Sequence, residues 1–121
     1  MAMHRTILIV DDDADIRDVL SDFLEDEGYA VATAANGREA LAHLQAHPQT
    51  SVVLLDLMMP IMNGFQFRTE QKADPAIAAV PVVVMTASGA LGSGTIDARE
   101  VLAKPLDLER LLAALGGASP Q

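Results

Sequence analysis

Short apolar runs alternate along the chain with longer stretches in which apolar and polar residues mix. Five of these runs have the length and composition of β-strands: 7–10, 29–34, 52–55, 80–85 and 101–103. The first, third and fourth runs are continuously hydrophobic, a pattern typical of strands that are buried on both faces of a sheet.

The stretches between the runs predict helices over 14–27, 36–46, 65–72 and 107–115. In the first of these, Ile16, Leu20 and Leu24 recur at helical spacing and form one apolar stripe with Val19 and Phe23. Asp12 or Asp13 can cap this helix, Gly28 ends it, and Asn36 with Glu39 resembles a capping box for the next. Regular alternation of strands and helices predicts an α/β fold with a parallel sheet covered on both faces.

Composition favours one small soluble domain. The 121 residues, half of them hydrophobic, fit a single domain over 1–121, with a core at about 5–115 and a flexible tail over 116–121. The absence of cysteine excludes disulfides, thiolate metal sites and a cysteine nucleophile. No apolar run approaches the roughly 18 residues of a membrane helix, and no signal peptide is recognisable, so we expect a cytoplasmic protein without membrane insertion.

The negative charge is concentrated near the N-terminus. The formal net charge is -9, and between Asp11 and Glu27 nine acids face a single base, Arg17. Such a field repels nucleic acid and attracts divalent cations. Solvated helix surface accounts for most of these acids, but not for Asp11 and Asp12, which directly follow an apolar strand.

The polar residues that could take part in binding or catalysis stand at the ends of the predicted strands. In open parallel sheets, ligands bind beyond the carboxyl ends of the strands, so these residues are expected to converge. They are Asp11, Asp12, Asp56, Thr86 and Lys104. Singly, Thr86 and Lys104 would be ordinary turn or surface residues, but the joint occurrence at four strand ends predicts a site.

The residue types at these strand ends fit phosphoryl transfer. Three close carboxylates need a cation to remain ionised together, and Mg²⁺ takes oxygen ligands while keeping positions open for a phosphate. A metal ion and Lys104 would neutralise the phosphoryl oxygens, and the Thr86 hydroxyl could donate to one of them. Asp56 would then be the nucleophile that forms an aspartyl phosphate.

Taken together, these motifs resemble the receiver domain of two-component response regulators. The resemblance is carried by the strand that ends on Asp11 and Asp12, by segment 54–60 with Asn63 and Gly64, and by segments 85–87 and 104–106. It covers about residues 5–115. It implies a doubly wound (βα)5 three-layer sandwich with a five-stranded parallel sheet in the order 2-1-3-4-5.

The resemblance also implies roles for individual residues. Asp56 would accept phosphate from a partner histidine kinase or histidine phosphotransfer protein. Asp12, Asp56 and the backbone carbonyl of Met58 would bind Mg²⁺ directly, and Asp11 mainly through water. Thr86 and Lys104 would contact the phosphoryl group and couple its arrival to loop movement.

The resemblance further implies a cis peptide bond between Lys104 and Pro105. Two departures from the family pattern lie nearby. Segment 88–94 has three glycines where a fourth helix is expected, so we predict a short or irregular helix. Val101 replaces an aromatic residue whose rotamer often reports activation. Both departures concern the family's usual output and dimerisation face, so we expect a different readout, and the sequence does not predict the oligomeric state.

Three functions remain open from the sequence. The leading hypothesis is a phosphorylation-controlled interaction module that is not an enzyme, apart from assisting its own phosphorylation and dephosphorylation. An aspartyl-phosphate phosphatase of the haloacid-dehalogenase type typically has a second acid two residues after the nucleophile, where this chain has Met58. The third is a constitutive interaction module that does not switch. We expect an unidentified downstream protein target and no direct binding to nucleic acid.

Overall fold

The computed structural model describes residues 5–87, 98–104 and 106–116. Within them, five parallel strands form one sheet: β1 (Thr6–Val10), β2 (Ala30–Ala34), β3 (Val52–Asp56), β4 (Val82–Thr86) and β5 (Glu100–Ala103). The strand order is β2-β1-β3-β4-β5. The predicted doubly wound parallel sheet and its strand order are therefore confirmed.

Four helices are described: α1 (Ala14–Asp26), α2 (Gly37–Ala46), α3 (Gly64–Lys72) and α4 (Leu108–Gly116). Asp13, the second of the two candidates, caps α1 by accepting hydrogen bonds from the Asp15 and Ile16 amides. Asn36 caps α2 as predicted, and Asn63 forms a capping box with Gln66 at α3. These side chains satisfy backbone amides that have no partner within the helix.

The core consists of two apolar layers, one on each face of the sheet. On one face, Leu44 of α2 and Phe67 of α3 pack against alternate strand residues such as Leu55. On the other, Leu24 of α1 and Leu111 of α4 pack against the intervening strand residues. Because the central strands are covered on both faces, their continuous hydrophobic sequence is explained.

The structure differs from the sequence prediction at several element boundaries. Val80 lies in a turn rather than in β4, because its amide donates to the Ile77 carbonyl and its carbonyl accepts from the buried Gln71 side chain. Tyr29 precedes β2, since its amide still bonds the Leu24 carbonyl at the end of α1. β2 and β5 are the edge strands and are only partly buried.

Three expectations fall wholly or partly outside the described residues. They concern the short or irregular fourth helix between β4 and β5, the cis bond to Pro105, and the flexible tail. Of that tail, Gly116 is instead the last residue of α4. Among the helices that the structure describes, none is long and apolar enough to cross a membrane.

Candidate functional site

The carboxyl ends of β1 and β3 bring three carboxylates together. The two strands are adjacent, with Val10 in register with Leu55, so Asp11 and Asp56 follow at the same edge of the sheet. One carboxylate oxygen from each of Asp11, Asp12 and Asp56 lies within 4.8 Å of the others. Asp11 is fully buried and Asp56 is 5% exposed, whereas Asp12 is exposed. The predicted convergence of these carboxylates is thus present in the fold.

Asp11 is fixed from several directions. Its amide donates to the Ala34 carbonyl of β2 at 3.1 Å, which ties the end of β1 to its neighbour. Its Oδ1 accepts from the Asp13 amide at 2.9 Å, and its Oδ2 accepts from the Lys104 ammonium at 3.0 Å. A carboxylate held in this way has little freedom to rotate away from the site.

Lys104 reaches the cluster from the end of β5. Its amide donates to the Thr86 carbonyl at 2.8 Å, which continues the pairing of β4 with β5. Its Nζ lies 3.0 Å from Asp11 Oδ2 and 3.5 Å from Asp56 Oδ1. Burial alone would lower the pKa of Lys104, but its hydrogen bond and charge interaction with Asp11, together with Asp56, raise that pKa. The ammonium form is therefore secure at neutral pH.

Asp56 experiences the opposite balance. Burial and the neighbouring Asp11 charge raise the pKa of Asp56, although Lys104 and the hydrogen bond from the Met58 amide act against this rise. The Met58 amide donates to Asp56 Oδ1 at 3.4 Å. The negative charge on Asp56 is thus only partly compensated by groups of the protein itself.

The loop after Asp56 depends on a close backbone approach at Gly64. The Gly64 amide donates to the Leu57 carbonyl at 2.9 Å. A Cβ on Gly64 would lie 2.8 Å from both the Asp56 carbonyl oxygen and the Leu57 Cα, which are backbone atoms that cannot easily move. Within the same loop, Ile61 has a φ of 70°, an unusual conformation for a β-branched residue.

Thr86 lies at the same edge of the sheet, at the end of β4. It is buried, and its hydroxyl donates to the Ala87 carbonyl at 3.2 Å. Asp56 is in register with Met85, so Thr86 stands one residue further along the neighbouring strand. A hydroxyl can rotate to a new acceptor without moving the backbone.

The carboxylate cluster has the composition of a site for a hard divalent cation. Asp11, Asp12 and Asp56 offer only oxygen ligands, and with Lys104 they leave a formal excess of two negative charges. Oxygen ligands and local negative charge suit Mg²⁺ or Ca²⁺. The residues present therefore fit a metal ion.

Sequence reasoning missed a contact that Arg17 makes with this site. Its Nη1 donates to the Asp11 carbonyl at 2.7 Å, so it contacts the loop that carries two of the carboxylates. The sequence did contain a signal that could have drawn attention to Arg17: it is the single base among nine acids, and it lies one turn inside the predicted helix.

Comparison with known proteins agrees with this fold. The fold and the site define the general class of this protein. It is a doubly wound α/β domain with an acidic cluster and a lysine at the carboxyl edge of its sheet. Residues 7–116 match the family model described as the response regulator receiver domain. The chain belongs to this family.

Curated relatives include response regulator Rre1 of Synechocystis, which is 36% identical over 93% of this chain and 51% of its own length. Protein PilH of Pseudomonas aeruginosa is 35% identical over 90% of this chain and 93% of its own length. The chain thus spans about half of some curated relatives, including Rre1, and nearly all of others. The solved structure of the chemotaxis response regulator CheY4 of Vibrio cholerae has a TM-score of 0.86 at 33% identity, covering 97% of this chain and all of that one.

Proposed function

We propose that this chain is a phosphoacceptor switch in which Asp56 takes a phosphoryl group from a histidine kinase or a histidine phosphotransfer protein. The observation that carries the proposal is the cluster of Asp11, Asp12 and Asp56 with the Lys104 ammonium between two of them. Membership in the receiver family, whose members are signalling switches, supports it.

In the proposed reaction, an oxygen of Asp56 attacks the phosphorus of a phosphohistidine. The new O–P bond forms as the P–N bond breaks, and the imidazole leaves and takes up a proton. Lys104 compensates the charge on the phosphoryl oxygens, and the Thr86 hydroxyl turns from the Ala87 carbonyl to donate to one of them. Hydrolysis of the acyl phosphate later restores the Asp56 carboxylate, so the protein assists only its own phosphorylation and dephosphorylation.

Mg²⁺ is the cation we assign to the cluster, and when bound it would neutralise both the carboxylates and the incoming phosphate. Asp12, Asp56 and the Met58 carbonyl would hold it directly, and Asp11 through water. The raised pKa of Asp56 supports a need for further positive charge, because Lys104 alone leaves its ionised form incompletely compensated.

The donor protein would dock beside this cluster on an apolar groove of about 620 Å³. The groove is lined by Asp15, Ile16, Val19, Leu20, Lys104, Leu106 and Leu108. Val19 is 61% exposed although it belongs to the apolar stripe of α1, and Lys104 joins the groove to the carboxylates. The exposed acids of α1, such as Asp18 and Asp22, make the complementary occupant a helix with an apolar stripe and basic flanks.

Phosphorylation by a small donor tests the central claim. Wild type, Asp56→Asn and the matched surface variant Asp18→Asn are incubated with acetyl phosphate, with and without Mg²⁺, and analysed by intact mass. We expect one water-labile phosphoryl group per chain in wild type and Asp18→Asn, only with Mg²⁺, and none in Asp56→Asn. Many turnovers of donor would instead favour the phosphatase, and an absent adduct would favour the constitutive module.

Transfer from a kinase tests the docking groove separately. The rate of transfer from a histidine kinase is compared between the wild type and Val19→Glu. Val19 is chosen because this exposed position tolerates a charge without loss of core packing. We expect transfer from the kinase to slow markedly while acetyl phosphate, which needs no docking surface, still modifies Asp56. Equal transfer to both proteins would rule out the groove as the docking surface.

A further inference from the structure

The loop between β1 and α1 fixes the conformation of Asp12 through its two neighbouring peptide groups. On one side, the amide of Asp13 donates to Asp11 Oδ1 at 2.9 Å, which holds the peptide between Asp12 and Asp13. On the other side, Arg17 Nη1 donates to the Asp11 carbonyl at 2.7 Å, which holds the peptide between Asp11 and Asp12. The backbone on either side of Asp12 is therefore tied down, although Asp12 itself is exposed.

We propose that Arg17 is a positioning residue that sets the affinity of the carboxylate cluster for its divalent cation, by holding the Asp11–Asp12 peptide. The inference rests on the proposed function, since it assumes that Asp12 is a metal ligand. In this proposal Arg17 would be neither a ligand of the metal nor a contact of the phosphoryl group.

The position of Arg17 in α1 suits this role. Its amide donates to the carbonyl of the helix cap, Asp13, at 3.0 Å, so its backbone is already part of the first helical turn. Its side chain returns from there to the Asp11 carbonyl and is only partly exposed. A guanidinium gives a charge-assisted hydrogen bond with fixed planar geometry, which is stronger than a neutral contact.

The charge of Arg17 and its hydrogen bond to the Asp11 carbonyl predict opposite changes in Mg²⁺ affinity when Arg17 is replaced. A cation close to an acidic cluster opposes the binding of a second cation, so removal of its charge alone would tighten Mg²⁺ binding. Removal of the hydrogen bond would let the Asp11–Asp12 peptide rotate and would weaken binding. Loss of groups that orient metal ligands typically lowers metal affinity about 10–100-fold. The sign of the change therefore separates the two roles.

Mg²⁺ affinity is measured by calorimetric or NMR titration on the full chain, without a phosphodonor. Arg17→Met removes the donor and the charge but retains an unbranched apolar stem, and Arg38→Met makes the same charge change on the exposed start of α2. We expect Arg17→Met to bind Mg²⁺ about tenfold more weakly, and Arg38→Met to bind it as the wild type does or slightly more tightly. Arg17→Lys, which keeps the charge and a donor, is expected to recover part of the loss.

Unchanged or tighter binding by a folded Arg17→Met would overturn the positioning role. If Arg17→Met fails to fold, Arg17→Gln replaces it. Its polar amide is also uncharged, and its N–H donor ends two atoms short of the guanidinium Nη that bonds the Asp11 carbonyl, so the same weakening is expected. Folding is checked by circular dichroism without Mg²⁺. A wild type that binds no Mg²⁺ would instead contradict the proposed function, so the two failures are distinguishable.

Discussion

At the scale of the residue, Asp56 is a buried acid whose ionised form is poorly compensated. It is 5% exposed, lies beside Asp11, and has Lys104 at 3.5 Å. Because its pKa is raised, ionised Asp56 destabilises the metal-free fold at neutral pH relative to the unfolded chain. We expect Asp56→Asn to raise the free energy of unfolding by roughly 1 kcal/mol in urea with EDTA at pH 7.

The pH dependence of this gain has a definite sign. Below the raised pKa of Asp56, the folded wild type carries a neutral carboxylic acid, as uncharged as asparagine. The difference in stability between Asp56→Asn and wild type should therefore shrink as the pH falls through that pKa. Asp18→Asn, an exposed acid on α1, serves as the control and should show little difference at neutral pH. A gain for Asp56→Asn that is independent of pH would contradict the electrostatic explanation.

Ile61 stores backbone strain in the same region. Its φ of 70° is costly for a β-branched side chain, and the side chain is 70% exposed, so little packing offsets the cost. Asparagine tolerates this conformation better. We expect Ile61→Asn to raise the free energy of unfolding by about 0.5–1 kcal/mol, measured by urea denaturation. Ile61→Val keeps the branched Cβ and should show no such gain.

At the scale of the element, the sequence predicted the strands and helices that are apolar on regular spacing. It misplaced boundaries where tertiary contacts decide the outcome. Val80 continues the apolar run of β4 in the sequence, but its backbone forms hydrogen bonds with Ile77 and Gln71 instead. The hydrophobic pattern of a sequence does not indicate such bonds. Val19 fits the stripe of α1, yet the groove beside it leaves it exposed.

The link between β3 and α3 depends on the absence of a side chain at Gly64. In Gly64→Ala the new Cβ would press on backbone atoms of Asp56 and Leu57, so the loop must shift. We expect a loss of about 1–3 kcal/mol in stability and slower phosphorylation of Asp56 by acetyl phosphate, since Asp56 directly precedes the displaced loop.

Gly28→Ala provides a matched comparison for Gly64→Ala. Gly28 has a φ of +98° but open space around its Cα, and it lies at the end of α1, away from the loop after Asp56. Its substitution should lower stability through backbone strain without slowing phosphorylation. Equal slowing in both variants would mean that the effect of Gly64→Ala comes from general destabilisation rather than from the displaced loop.

In the molecule as a whole, the strand order decides which residues meet, and this made the convergence of the strand-end side chains predictable. Asp11, Asp56 and Lys104 are far apart in sequence, but a parallel sheet in this order brings their strand ends to one edge. The directions in which long side chains point could not be predicted from the sequence. Arg17 could have pointed to solvent, and only the packed loop shows that it returns to the Asp11 carbonyl.

The net charge of -9 makes the whole fold responsive to cations in two ways. Any salt screens the general repulsion, whereas Mg²⁺ should also bind the folded cluster and not the unfolded chain. At a Mg²⁺ concentration ten times its Kd, site binding adds about 1.4 kcal/mol of stability, and the melting temperature should rise accordingly. Melting temperatures are compared in MgCl₂ and in NaCl of equal ionic strength.

The rise specific to Mg²⁺ should largely disappear in Asp12→Asn, whose exposed side chain contributes little to the fold itself. Equal rises in both salts would leave only screening, with no Mg²⁺ bound to the cluster.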